Sequence, residues 1–500
     1  MQIFWLKRNL RLQDSEPFFY SMKAFRAHGK VLPLYVHEPS LIAQPDVSRQ
    51  HQAFIHETLT ELSDELQALG GELLQAVGET ISVLEKVHRC SRITRVWTHR
   101  ETTQNSQHKR DNDIRAWCET NGIELLEIGQ NGVARGSRVP ASFPAYFSEC
   151  INLTLRDPAG ADLSERFAPL PFPTCLADEI PLAQGSDKPY RQTGGRKAAQ
   201  KILNAFFNVR NLSRYPSQIS SPNTAWEGCS RISTYLAYGV VSDREVFQAV
   251  DRAVSSGHQN QTDTESKRLQ DRARFFLERL RWRRQYIQLF ETHPELETEC
   301  MLPQFNGIRE AEFNDALFNA WASGHTGIPY IDAAIRCLSA CGWINMRLRA
   351  TVVSFATMNL WLPTHKVAQF LANEFLDYEP GIHHVIHQIV SGTSDFDALM
   401  VYDPMKQAID HDPEGHFIRR WVPELAELKG TSIHDLSRTS GYKSRIAEEK
   451  GFGAYPAPVV DHKKTSKIAK RRIHAIKTGL PDPGPEHADE ASSTQQLDLI

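Results

Sequence analysis

The 500-residue sequence predicts two domains, an α/β domain with a parallel sheet followed by an all-α domain. Three observations carry this. Short apolar strands alternate with helical periods near the N-terminus. The strand pattern then stops, and long helical periods run from about residue 191 to 455. A stretch rich in Pro, Asp and Ala separates the two regimes.

In the first region, 1–145, "QIFWL", "VLPLYV", "RVWT" and "IELLEI" read as strands, apolar and bounded by charge or glycine. Between them Phe54, Ile55, Leu59, Leu62, Leu66 and Leu69 recur at helical spacing and stop at Gly70-Gly71. "ISVLEKVHRC" and "KRDNDIRAWCETNG" are further helices. Repeated β-α-β units imply parallel strands, because each needs a crossover. Residues 146–190, with "PLPFPTC", read as an interdomain linker. The helical domain, 191–455, includes "TDTESKRLQDRARFFLERLRWRRQYIQLF" and "RLRATVVSFATMNLWL". Residues 456–500 hold a basic run, "DHKKTSKIAKRR", then an acidic end, and are expected to be a disordered tail.

Composition narrows the function classes. The apolar fraction of 41% fills sizeable cores, and a net charge of −3 gives no overall case for nucleic acid, although one basic face can still exist. Eight cysteines without a CxxC pattern support neither a disulfide framework nor a thiolate zinc site. No apolar run has the length of a membrane span. A reduced, cytoplasmic, monomeric protein away from membranes is expected.

Five segments carry chemistry. "FWLKRNLRLQDS" places Lys7, Arg8 and Arg11 after the first strand, where open α/β sheets offer ligand crevices; a solvated basic loop is the alternative. "CSRISTYLAYGVVS" puts Ser230 and Ser233 where a helix begins, suiting an anion such as a diphosphate or simple N-capping. "ERLRWRRQYIQLF" surrounds Trp282 with Arg279, Arg281, Arg283 and Arg284, fit for phosphate contacts and base stacking or for a solvated arginine face. Arg347 and Arg349 lie in an apolar helical region and need partners, for which Asp377 is a candidate. Finally, "GIHHVIHQIVSGTSDF" places His383 and His387 four apart on one helical face. That is a metal-ligand spacing, but further ligands are untraceable, and no metal site is expected.

Taken together these segments resemble the photolyase/cryptochrome flavoprotein family. "WLKRNLRLQDS" is similar to its opening signature and "CSRISTYLAYGVVS" to its flavin-phosphate segment. "WASGHTGIPYIDAAIRCL", "GWINMRLR" and "DPEGHFIRRWVPEL" follow in the family's order. The resemblance implies a Rossmann-like antenna domain and a helical domain holding FAD. It also implies either light-driven electron transfer to a pyrimidine lesion flipped out of UV-damaged DNA, or blue-light signalling without repair, through a partner of the C-terminal tail.

Residue by residue, the resemblance implies a reacting pocket at Trp282, Arg283, Met346 and Arg347, with Arg279, Trp282 and Arg283 toward DNA. Flavin contacts are implied at Tyr215, Cys229, Ser230, Arg231, Ile232, Ser233, Arg349, Asp377, Gly381 and His383. Glu101 is the candidate for a second, antenna chromophore (folate or deazaflavin). Departures are several. Arg279 stands where repair members have Glu, Met346 where they have Asn, and Cys229 where they have Thr. The Asn facing the flavin's reactive nitrogen is missing, with Gly381 or Ile382 nearby. The three electron-carrying tryptophans are replaced by Val385, Thr364 and Ala311, leaving Trp343, Trp361, Tyr378 and Tyr402 as other aromatic residues for a route.

Overall fold

The computed structural model describes residues 1–129, 132–134, 148–158, 160–258, 263–396, 399–428, 430–436 and 455–485. Five strands, β1 (Gln2–Leu6), β2 (Val31–His37), β3 (Leu74–Val77), β4 (Arg95–His99) and β5 (Glu124–Ile128), form one sheet in the order β3-β2-β1-β4-β5. Every pairing is parallel. The crossovers are α1 (Glu16–His28), α2 (Arg49–Ala68), α3 (Thr80–Cys90) and α4 (Asn105–Thr120). Four strands coincide with the sequence reading. β3 escaped it because "LQAV" is four residues long with a polar Gln75, too short for a period.

Side-chain alternation along β1 builds both layers. Phe4 and Leu6 point into a core shared with α1, α2 and the helical half, whereas Ile3 and Trp5 pack with Val83, Leu84, Val87 and Ile114 of α3 and α4. The segment expected to be a linker adheres to the sheet. Ala168 donates its N–H to Val31 O at 2.9 Å, and Cys175 donates to Gln75 O at 2.8 Å, covering the β3 edge.

The helical half runs α5 (Arg196–Phe206), α6 (Val209–Gln218), α7 (Pro222–Gly228), α8 (Ser233–Ala237), α9 (Asp243–His258) and α10 (Asp263–Thr292). It continues with α11 (Asp315–Ala322), α12 (Pro329–Cys341), α13 (Met346–Ser354), α14 (Thr364–Glu374), α15 (Pro380–Val390), α16 (Pro404–His411) and α17 (His416–Trp421). Among the described residues no helix is long and apolar enough to cross a membrane.

The basic loop after β1 joins the two halves. Arg8 donates to Ala237 O at 3.0 Å and to Tyr378 O at 2.6 Å, and Arg11 donates to Gly239 O at 2.8 Å. Gly239, at φ +62°, has no room for a Cβ, which would stand 2.4 Å from Arg8 O. Lys7 pairs with Asp111 at 2.7 Å, both buried. The solvated-loop alternative therefore fails for all three cations.

The expectation of a disordered tail from residue 456 also needs correcting. Val459 donates to Thr326 O at 2.9 Å, and His462–Lys477 forms α18. Asn359 donates to His462 O at 2.8 Å, and Arg472 pairs with Glu312 and Asp482. Ala469, Ile473 and Ile476 share the buried face of α18, an apolar stripe hidden in sequence by the surrounding lysines.

Candidate functional site

The site begins where α6, α7 and the turn into α8 meet. Tyr215 is half-buried with its ring edge-on to Phe276 at 5.2 Å. Cys229 follows α7, and burial pushes its thiol up to about 12, so it stays protonated. Arg231 adopts φ +53°, a left-handed conformation uncommon outside glycine, and its guanidinium lies 3.7 Å over the Trp226 ring. Ser230 Oγ accepts the N–H of Ile232 at 3.5 Å, and Ser233 is the first residue of α8, a helix of one turn and a half. Ile232 is buried in the core at 2% exposure, and its carbonyl accepts the N–H of Leu236 at 3.0 Å, so its role in the turn is packing.

Across from this turn, Arg349 donates to Asp377 Oδ2 at 2.8 Å and to Ile344 O at 2.9 Å, and its guanidinium lies 4.1 Å over Phe375. The pairing expected between Arg349 and Asp377 is present. Asp377 Oδ1 is buried with no protein partner, as are Glu379 Oε1 and Arg231 Nε. Unpartnered buried polar atoms occur elsewhere in the chain too, but these three belong to the segments whose resemblance implies flavin contacts, where a ligand could supply the missing hydrogen bonds. Two acceptors and one guanidinium donor suit the polar edge and phosphates of a flavin dinucleotide. FAD fits this set.

The three histidines lie on α15, all buried. His383 Nε2 meets Ala368 O at 2.8 Å, His387 Nδ1 meets His383 O at 2.7 Å, and His384 Nε2 meets the Tyr378 hydroxyl at 3.3 Å. Burial pulls His384 down to about 3 and His387 to about 4, and holds His383 well below the ordinary range, so all three are neutral. His387 Nε2 is a further buried atom without a partner. Among the described residues no three His, Cys, Asp or Glu side chains are arranged to hold a metal ion.

Gly381 gains a packing role beside its expected flavin contact, and the expectation for Arg283 changes. Gly381 was expected against the flavin. A Cβ there would stand 2.6 Å from Ile287 Cα, so the glycine is required by the close crossing of α15 over α10. Arg283 was expected toward DNA. It is buried and donates to Glu379 at 3.1 Å, while neighbouring Arg284 pairs with Asp243 in the core. The arginine cluster on α10 thus divides: Arg283 and Arg284 are buried on carboxylate partners, Arg279 is half-buried against Trp282 and Phe275, and Arg281 is exposed.

Trp282 is half-buried, and the exposed Arg281 precedes it. The Arg279 guanidinium lies 4.2 Å from both the Trp282 and Phe275 rings. Met346, 37% exposed, opens α13, and Arg347 beside it lies 5.8 Å from the Tyr402 ring. Trp282 and Arg279 are brought together, and Tyr215 feels the Arg279 charge, which ties this rim to the flavin cradle.

A second feature is a cleft of about 400 Å³ at the carboxyl ends of β1 and β2, to which the helical half contributes Tyr238 and Tyr378. Trp5, Tyr35, His37, Glu101, Tyr238 and Tyr378 line it. Ligand crevices in open α/β sheets form at strand carboxyl ends where the strand order reverses, which here is between β1 and β4. Glu101 lies in its wall and pairs with Arg110 at 2.6 Å, and Arg110 also pairs with Glu38 at 2.9 Å. Sequence reasoning placed Lys7, Arg8 and Glu101 here but missed Tyr35, His37 and Tyr378. Nothing local in sequence links those three: strand order brings Tyr35 and His37 together with β1, and the contact of Arg8 with Tyr378 O brings in the helical half. Glu379, also missed, had a signal, being the second carboxylate of "LDYEPG".

Comparison with known proteins bears on both features. Residues 2–150 match the DNA photolyase domain, and residues 276–475 match the FAD binding domain of DNA photolyase, together more than half of the chain. A deoxyribodipyrimidine photo-lyase of Halobacterium salinarum is 26% identical over 94% of this chain and 98% of its own length. Cryptochrome-2 of Arabidopsis thaliana is also 26% identical, over 86% of this chain and 72% of its own. Among solved structures, a class III photolyase from Agrobacterium tumefaciens superposes with a TM-score of 0.79 at 23% identity, covering 95% of this chain and 97% of its own. A photolyase from Sulfolobus tokodaii, described with two FAD molecules, gives 0.71 at 23% identity, covering 96% and 99%. With its α/β and helical halves both matched, and a cradle whose orphaned groups suit FAD, the chain belongs to the photolyase/cryptochrome flavoprotein family.

Proposed function

We propose that this protein is a light-driven DNA repair enzyme that acts on a pyrimidine dimer extruded from UV-damaged DNA. The observation that carries the reading is Trp282, half-exposed on α10 and coupled through Arg279 to the Tyr215 side of the flavin cradle. Bound FAD supplies, in its reduced and photoexcited form, the electron that opens the lesion. The chain's own part is positioning. Trp282 offers the wall on which an extruded base stacks, and exposed Arg281 with Met346 and Arg347 forms the rim. Asp377 and Arg349 fix the orientation of the flavin edge, and buried Arg283 holds Glu379 in place. The 400 Å³ cavity is proposed to hold the second chromophore (flavin, folate or deazaflavin), because four aromatic side chains and paired charges in its wall suit a flat polar ring.

A second reading is a blue-light receptor without repair. Arg279 favours it, because its guanidinium lies 4.2 Å from the centre of the Trp282 ring, where it competes with a stacked base, and repair members carry a carboxylate at this position. Blue light on the reduced holoprotein with a dimer-containing oligonucleotide separates the two. Intact pyrimidines are expected, and Trp282→Ala should abolish their recovery. No light-dependent product, with reduced flavin bound, would favour the receptor.

A further inference from the structure

We infer that Tyr378 is the residue that gives an electron to photoexcited oxidised flavin in this protein, with His384 taking the phenolic proton. The inference rests on the FAD that the family assignment supplies, not on the repair reading.

Tyr378 directly follows Asp377, which the family match sets beside the flavin ring, so the two Cα atoms are about 3.8 Å apart. It is buried, and its hydroxyl lies 3.3 Å from His384 Nε2. His384 is held by stacking on Phe290 at 5.4 Å and 10°. Burial keeps the imidazole neutral, so Nε2 has a lone pair when Nδ1 carries the hydrogen. Burial first, and then the nearby Asp46, Glu297 and Glu379 carboxylates against Arg8, hold the phenol well above its ordinary range, so it is protonated and its proton has to leave as the electron does.

The other aromatic candidates have guanidinium groups near their rings. Trp361 is sandwiched between Arg309 at 4.6 Å and Arg472 at 4.1 Å, so an indole cation radical would form between two positive charges. Its Nε1 is buried without an acceptor, leaving its proton no exit. Trp343 stands edge-on to Trp226 at 5.8 Å, but Arg231 lies 5.2 Å from the first ring and 3.7 Å from the second. Tyr402 has the Arg347 guanidinium 5.8 Å from its ring, which opposes loss of an electron there. What distinguishes Tyr378 is the direct contact of its hydroxyl with the His384 imidazole.

The step balances. One electron leaves the Tyr378 phenol for the oxidised flavin, the O–H bond breaks, and an N–H bond forms at His384 Nε2. The products are a neutral tyrosyl radical, an imidazolium and a flavin reduced by one electron. An oxidised phenol is a strong acid, so an imidazole weakened by burial still takes its proton. An added thiol then restores the tyrosine from the cavity that Tyr378 lines.

The test uses the full-length holoprotein with oxidised FAD, without DNA. Under blue light, electron paramagnetic resonance should show a tyrosyl radical that narrows when β-deuterated tyrosine is incorporated. Labelling histidine with nitrogen-15 should reveal a coupling that His384→Phe removes. Tyr378→Phe should lose the radical and slow photoreduction by roughly tenfold to a hundredfold, up to the lower range that a positioned proton acceptor contributes. Trp361→Phe should leave the rate unchanged. An indole radical, or an unchanged rate in Tyr378→Phe, overturns the proposal. If Tyr378→Phe fails to retain flavin, the wild-type radical decides: a tyrosyl coupled to histidine nitrogen supports it, and any other radical overturns it. A protein that forms this radical yet repairs nothing refutes the repair reading alone.

Discussion

Gly381→Ala tests whether the crossing of α15 over α10 sets the site. The added Cβ would stand 2.6 Å from Ile287 Cα and 3.2 Å from its Cγ1. Carbon atoms settle at about 3.5–4.0 Å, so the helices must part by roughly 1 Å. Overpacking of this kind costs about 1–3 kcal/mol, and because the nearest atom is backbone, side-chain rotation cannot relieve it. Alanine returns about 1 kcal/mol through helix propensity. The net is a loss of about 1 kcal/mol, or roughly 2–4 °C in Tm for a domain of this size class. Flavin retention should suffer more than stability, because α10 carries Trp282 and Arg283 while α15 carries the buried histidines. A melt followed by released-flavin fluorescence, with flavin content measured beforehand, reads both effects. Gly381→Val, with two more carbons, should fall further. An alanine variant with full flavin content and an equal or higher release temperature would refute the reasoning.

Asp377→Asn removes the charge facing Arg349, and breaking a buried pair costs about 3–5 kcal/mol, so the variant should purify with little flavin; normal flavin content would count against the cradle. His51 and His387 fall to about 4 and His384 to about 3 through burial, so these residues are neutral when folded, whereas the unfolded chain protonates near pH 6.5. The unfolded state then binds more protons as pH falls, and stability should drop between about pH 6.5 and 4, by about 2 kcal/mol per histidine at pH 5. It should be flat above neutrality, and melting temperatures unchanged from pH 7 to pH 5 would contradict this. Arg472→Ala removes the ion pairs to Glu312 and Asp482 and one guanidinium from Trp361, so limited proteolysis should cut at α18 first; an unchanged cleavage pattern would mean that the apolar stripe alone holds the helix.

Periodicity made most of the fold legible. β1 reads as a strand because "QIFWL" is apolar throughout, as a strand buried on both faces must be. β3 was invisible because its strand character comes from pairing with Leu34–His37, not from its own four residues. α18 was misread for a related reason. Lysines dominate its composition, and its apolar stripe acquires meaning only from the surface that Phe305, Met358 and Trp361 present.

The site was legible where single residues carry fixed chemistry, as with Arg349 and Asp377, and illegible where roles depend on direction. Arg279, Arg281, Arg283 and Arg284 look alike in sequence, yet helical rotation sends two toward Glu379 and Asp243 and leaves Arg279 half-buried and Arg281 exposed. The histidine segment shows the same principle. His383 and His387 at a metal spacing turn out to bond Ala368 O and the His383 carbonyl, and their rings lie 4.1 Å apart, tilted by 38°. That spacing therefore serves packing. The residue between them, His384, points to the Tyr378 hydroxyl instead, and Tyr378 reaches both the cavity wall and the residue beside the flavin cradle. No spacing rule could reveal this, because the contact depends on how the turn between Asp377 and Pro380 redirects the chain. A functional proposal for this stretch accordingly has to rest on hydrogen-bond partners and local charge.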